Sequence, residues 1–219
     1  MDSENKILIK NSNSILLQLK KISIEIIVIV FSVYVSIWLT NKNEHNKEQK
    51  DTKAFLTDLK IDLEQDIKNI NEEIIITERT YTSLTTLLNI TKEQAKYSPT
   101  IELKIALSIR KNNEANYEGF KSSGKISNIE NRKLRKDIIS YYQENLTVTT
   151  ELEKESNKYK IEIIETLGGN NFKTNTLENS TFRTKLDLFK QLTYTLNENY
   201  KLDIAEAKKI IKQIDSYNK

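Results

Sequence analysis

Leu56-Thr-Asp-Leu59-Lys-Ile-Asp-Leu63-Glu-Gln-Asp-Ile67-Lys-Asn-Ile70-Asn-Glu-Glu-Ile74 is the stretch that decides the fold. Its apolar residues recur three and four positions apart, and the pattern runs on through Thr77, Tyr81, Leu84 and Leu88 with charges between. That spacing lays one apolar stripe along a long helix with coiled-coil-like packing. Alone, such a helix would leave its stripe in water, so the chain must supply partners.

The partners are predicted downstream. Pro99, in Tyr97-Ser-Pro-Thr100, breaks the first pattern, because proline disfavours helix in the residue before it. Residues 101–111, with Leu103, Ala106, Leu107 and Arg110 at helical spacing, predict a short helix. Ser122-Ser123-Gly124 reads as a turn, with the glycine free to take positive φ. A second long helix, capped by Asn128, carries Leu134, Ile138, Tyr141, Asn145, Val148, Leu152, Tyr159 and Ile163 and stops at Gly168-Gly169. A third, capped by Asn179 or Ser180, carries Phe182, Leu186, Phe189, Leu192, Leu196, Tyr200, Ile211 and Ile214. Four glycines and one proline in 219 residues are too few for the turns of a sheet protein. The expected fold is all-α: a four-helix antiparallel bundle spanning residues 42–219.

Before the bundle lies a different kind of segment. From Glu25 to Lys42 there is no charge, and Ile-Ile-Val-Ile-Val-Phe-Ser-Val-Tyr-Val-Ser-Ile-Trp-Leu (residues 26–39) is apolar on nearly every side. The positions 22–39 span about 27 Å as a helix, near the lower limit of hydrocarbon thickness. Tyr34 and Trp38 suit an interface, and Glu25 sits at headgroup level one turn from Lys20 and Lys21. Residues 22–41 therefore read as a transmembrane anchor and residues 1–21 as an amphipathic tail on the inner surface. Lysines flank the anchor equally, so the outward placement of the body rests on the ease with which long C-terminal domains translocate.

Two places carry a resemblance. Glu25-Ile-Ile-Val-Ile-Val through Trp38 to Asn43-Glu44, and Tyr117-Glu-Gly-Phe120-Lys-Ser-Ser123-Gly124-Lys-Ile126 followed by Asn131-Arg-Lys-Leu134 and Tyr141-Tyr142, are the residues concerned. They resemble a functionally uncharacterised bacterial family of small single-pass membrane proteins. That family has a Glu-Ile…Trp-Asn-Glu anchor and a Tyr-x-x-Leu-x-x-Ser-Gly internal pattern. Here Trp38 stands apart from Asn43-Glu44, and Ser32 or Val33 replaces the family's glycine. The resemblance implies one anchor and a helical body, and it implies no chemistry. With the outward placement of the body, the expected location is the bacterial inner membrane with the body in the periplasm.

Chemistry is scarce by composition as well. There is no cysteine and one histidine, His45, so thiolate catalysis, disulfides and the usual zinc and iron sets are unavailable. Asp58, Asp62 and Asp66 line one helical stripe and read as a solvated face. Acidic and basic residues are interspersed, 31 against 34, without the basic stripe that nucleic-acid binding needs. No enzyme, cofactor, metal site or nucleic-acid partner is expected. The expected partners are the bilayer and other helices, whether of another protein or of a second copy.

The leading functional reading is a membrane-anchored helical scaffold or protein-interaction protein. The alternative is an extracytoplasmic ligand-sensing bundle, in which Tyr117, Phe120, Ser123, Gly124, Arg132, Arg135, Tyr141 and Tyr142 would shape an interaction or ligand region.

Overall fold

The computed structural model describes the backbone of residues 2–91, 94, 100–102, 105–108, 110–167 and 171–217, and the side chains of residues 20–91, 94, 105–108, 110–167 and 176–217. The protein is all-α apart from one minimal strand pair. Helix α1 runs Asp2–Leu88, α2 Ala115–Ser122, α3 Arg132–Ser140, α4 Leu146–Leu167 and α5 Ser180–Tyr217. Strands β1 (Thr100–Glu102) and β2 (Asn171–Lys173) pair antiparallel, with Ile101 opposite Phe172. The chain divides into two compact units, Met1–Asp51 and Thr52–Lys219.

In the first unit, every side chain from Lys20 to Glu48 is exposed. Its hydroxyls are satisfied locally: Ser32 Oγ donates to the Val28 carbonyl at 2.8 Å and Thr40 Oγ1 to the Ser36 carbonyl at 2.9 Å. Local bonding of this kind lets a helix carry serine and threonine into an apolar medium cheaply. One apolar window here, of mean hydropathy 2.3 and wholly unburied, makes this helix long and apolar enough to cross a membrane. The amphipathic tail expected at 1–21 is helical from Asp2, while its side chains before Lys20 lie outside the described residues.

The second unit packs α1, from Thr52 on, antiparallel to α5, and α4 antiparallel to α5. Lys60 Nζ meets Asp215 at 2.6 Å, and Thr77 Oγ1 lies 3.2 Å from Asn197 Oδ1. Lys185 Nζ reaches Glu162 at 3.0 Å. The stripe on α1 behaves as its spacing dictates: Leu56, Leu59, Leu63, Ile70 and Leu84 are fully buried. The helix ends at Leu88, well before Pro99, which lies outside the described residues. Arg183 of α5 donates to the Leu88 carbonyl, pairing one of the acceptors that a helix end leaves open.

Three expectations change. First, the described residues of the expected 101–111 helix are not helical. Thr100–Glu102 is a strand, and 105–108 and 110–114 are irregular. The fourth layer is thus a strap, and the short helix comes later, as α2. Second, α3 is capped by Asn131, not Asn128, with Asn131 Oδ1 accepting from the Lys133 and Leu134 amides at 3.1 Å each. Third, the inward face of α4 differs from the predicted stripe. Val148 is exposed, Leu152 and Tyr159 are half-buried, and Thr149, Glu153, Ser156 and Lys160 point inward instead.

A π-turn at Tyr141–Asn145 explains the shift. One extra residue per turn rotates everything after it by about 100° relative to a continuous α-helix. Before it, Leu134, Ile138 and Tyr141 face the core; within it, Tyr142 is buried as well; after it, Leu146 opens a new stripe. At the start of α5 the prediction stands, since Asn179 Oδ1 accepts from the Phe182 amide at 3.1 Å. The glycine pair expected to end α4 lies outside the described residues, and α4 ends at Leu167.

Chemical denaturation separates the two stripes. Leu63→Ala should cost about 2–5 kcal/mol, whereas Val148→Ala should change stability by less than about 0.5 kcal/mol. A large loss at Val148 would restore the unshifted stripe.

Candidate functional site

The aromatic corner is the first place to look. Tyr117 of α2 stacks on Tyr142 with centroids 4.3 Å apart, and Tyr141 meets Tyr142 edge-on at 5.1 Å. Phe120 stacks on Phe55 of α1 at 3.8 Å. These four expected residues share one apolar cluster with Leu56, Leu59, Leu134 and Ile210. The others do not join them. Gly124 takes φ 76° in an exposed turn beside Ser123, whose hydroxyl donates to the Phe120 carbonyl at 2.8 Å. Arg135 donates through Nη1 to the Ser127 carbonyl at 2.8 Å, tying the 3₁₀ turn Lys125–Asn128 to α3. Arg132 is exposed at the start of α3. The corner closes the bundle by aromatic packing. Of two grooves on the body, one is lined by Tyr141 and neither by Arg132 or Arg135.

A second site lies at mid-height and was not anticipated. The apolar core falls into two larger clusters, one around Leu56, Ile138 and Ile210, the other around Leu84, Ile163 and Phe189. Between them Ile70, Leu196 and Tyr200, with half-buried Ile74, Leu152 and Ile204 packed against them, form a small apolar layer. The rest of that level is polar, because the rotated stripe of α4 puts Thr149, Glu153, Ser156 and Lys160 inside.

The strap crosses this level. Ser108 donates its amide to Asn157 Oδ1 at 3.0 Å, and Asn157 Nδ2 donates back to the Ser108 carbonyl at 2.7 Å. One side chain thus replaces both bonds that a neighbouring strand would supply. On α1, Asp66 Oδ1 accepts from the Asn113 amide at 3.2 Å and from Asn113 Nδ2 at 2.8 Å. Asn116 Nδ2 donates to Asp62 at 2.8 Å. The strap is therefore clamped from both sides, by α1 and α4.

Arg110 sits at its middle. Its side chain is 1% exposed, and Nε donates to Glu153 Oε1 at 2.7 Å. Tyr200 Oη donates to the same oxygen at 2.8 Å, and its ring lies 5.8 Å from the guanidinium carbon. Thr149 Oγ1 donates to Asp203 Oδ2 at 2.7 Å. Among the described residues, Arg110 Nη1 and Nη2, Asp66 Oδ2 and the hydroxyls of Tyr141 and Tyr142 meet no partner. Buried polar groups left unmet are costly, so this level is less tightly determined than the apolar clusters on either side.

The electrostatics follow from crowding. Burial raises the Asp66 carboxyl to about 6, against the opposing pull of the Asn113 bonds and of Arg110. Burial likewise raises Asp203 to about 6, against Thr149 and Arg110. Burial works against the Arg110 cation, but the Glu153 carboxylate more than offsets it. Burial pushes Lys160 down, with Glu73 and Glu153 resisting. Burial also lifts the Tyr141 and Tyr142 hydroxyls far above their ordinary range. The solvated reading of the aspartate stripe fails at Asp66, which is fully buried. The stripe's spacing is right, but the strap covers this position.

Among the described residues no cluster of His, Asp or Glu is placed to hold a metal ion. No protein family, curated protein or solved structure matches the chain.

Two outcomes test the site. Arg110→Met strands Glu153 and should cost about 3–5 kcal/mol, most of it recovered in Arg110→Met/Glu153→Leu. A carboxyl whose pKa is raised on folding contributes stability below its unfolded value and loses it as pH rises through its folded value. Thermal unfolding should therefore show a loss of order 2 kcal/mol per carboxyl between about pH 4 and pH 7, absent in Asp66→Asn/Asp203→Asn.

Proposed function

We propose that the chain is a membrane-anchored helical protein whose body serves as an interaction module outside the bacterial inner membrane. The observation that carries this reading is the exposed apolar helix. Ile27, Ile29, Val30, Phe31 and Tyr34 are each 62–66% exposed. An apolar run of this length would be buried in a soluble core, and left in water it would aggregate, so lipid is its natural cover. The resemblance to small single-pass membrane proteins supports the same placement.

For interaction, the supporting feature is a groove of about 500 Å³ between α3, α4 and α5. Val148 and Leu202 stand exposed on its walls, and Lys136, Glu144, Glu206 and Lys209 surround them with mixed charge. An apolar centre inside a polar rim is the usual anatomy of a protein contact.

Photocrosslinking in native membranes is the test. A photoreactive residue at position 202 should give one discrete adduct above the monomer, and the same residue at exposed Glu151 should not. Monomer alone at position 202, in a carbonate-resistant membrane fraction, would contradict the interaction reading while leaving the anchor intact.

A further inference from the structure

The stripe of α4 that the π-turn rotates out of the core does not become an ordinary solvated face. Val148, Leu152, Glu155, Tyr159 and Glu162 alternate four and three positions apart, one residue ahead of the inward stripe that begins at Thr149. Helix α5 repeats the arrangement. Leu188, Leu192, Thr195, Asn199, Leu202 and Glu206 run one residue ahead of the inward stripe that continues from Phe189. Each helix thus carries two adjacent heptad stripes, one for the core and one beside it.

The two side stripes border the same seam. Tyr159 and Glu162 line a groove of about 480 Å³ with Leu188, and Val148 lines the groove of about 500 Å³ with Asn199 and Leu202. Leu152, Leu192 and Thr195 lie between these groups on the same stripes, so the grooves are two ends of one seam. From Leu188 to Glu206 that seam is about 27 Å long. Its walls are apolar and open: Val148 is 52% exposed, Leu188 48% and Leu202 61%. Leu152, Tyr159 and Leu192 beside them are half-buried.

A seam of this kind accepts further helices, and its charges indicate whose. Apart from buried Asp203, the residues lining the two grooves include four lysines and five carboxylates. Most are already paired within the chain. Lys158 lies 3.7 Å from Glu155, Lys185 3.0 Å from Glu162, and Lys209 3.3 Å from Asp137 and 2.8 Å from Glu206. A strongly acidic or basic partner finds no field of opposite sign here. An identical face, mixed in sign and nearly neutral, meets no net repulsion.

Area agrees with charge. Two helices packed side by side present a face about 20 Å wide, so each copy offers on the order of 500 Å². That is small for a stable dimer free in solution. It suffices for copies anchored in one membrane, where confinement raises their effective concentration. We infer that α4 and α5 form a self-association face, on which a second copy of this chain docks along the seam. The inference rests on the interaction reading above and names its partner.

Two-tag photocrosslinking of the full chain in native membranes tests it. One copy carries a photoreactive residue at Leu202 or at Leu188, about 21 Å apart along α5, and a co-expressed unmodified copy carries a second tag. Both probes should give an adduct bearing both tags. Val148→Lys/Thr195→Lys in both copies, at exposed positions, should reduce both adducts at least about tenfold without lowering the unfolding temperature. An adduct with one tag only overturns the second copy as occupant and leaves the interaction reading standing. No adduct at either position contradicts both. A two-tag adduct at Leu202 alone, or two-tag adducts that persist in the double variant, overturns the continuous face. Should the double variant unfold, the two probes in the otherwise unaltered chain decide.

Discussion

Everything at mid-height of this bundle follows from one constraint: an irregular, non-helical stretch of backbone runs where a helix would normally lie. Helices bring their own hydrogen bonds, so a bundle of helices can have an oily centre. A strap cannot. Its peptide groups must be met by neighbours, and neighbours able to meet them are polar. Asn157 answers both backbone groups of Ser108, and Asp66 answers Asn113. Once those residues are inside, they need partners too, and the network grows to Arg110, Glu153, Tyr200, Thr149 and Asp203.

The π-turn makes this possible without disturbing the apolar ends. Upstream of it α3 presents Leu134 and Ile138, and the turn itself buries two successive tyrosines. Downstream, the rotated α4 turns Thr149, Glu153, Ser156 and Lys160 inward and returns to Ile163 where the second apolar cluster begins. π-turns recur at functional positions, where a sequence accepts a locally poorer helix to place particular side chains. Here the side chains placed are those that clamp the strap. The polar level costs stability against an apolar alternative, and a fold that retains such a level gains either uniqueness of packing or a means of change.

Much of this was legible in the residues, and the exceptions have physical causes. The stripe of α1 and the start of α5 were readable because helix periodicity and an asparagine cap are local signals. Gly124 was readable because a tight turn needs its positive φ. The strap was misread because Ala106, Leu107 and Arg110 do recur at helical spacing, and nothing within 101–111 announces that Asn157 will bind Ser108 from 49 positions away. The inward face of α4 was misread because a π-turn leaves no compositional trace, so the apolar residues Val148, Leu152 and Tyr159 drew the eye to the wrong side. Asp66 was misread as solvated because its cover comes from the strap. For the strap and for Asp66 the deciding contact is distant in sequence.

The most direct test of the strap is its backbone conformation in solution. ¹³Cα and ¹³Cβ secondary chemical shifts, measured on the full chain in micelles, report helix or extended structure residue by residue. The structure requires non-helical shifts at residues 105–108 and 110–114, between the helical runs of α1 and α2. A continuous run of helical shifts across 105–111 would mean a fourth helix in that position, and the clamp and the polar level would fall with the strap.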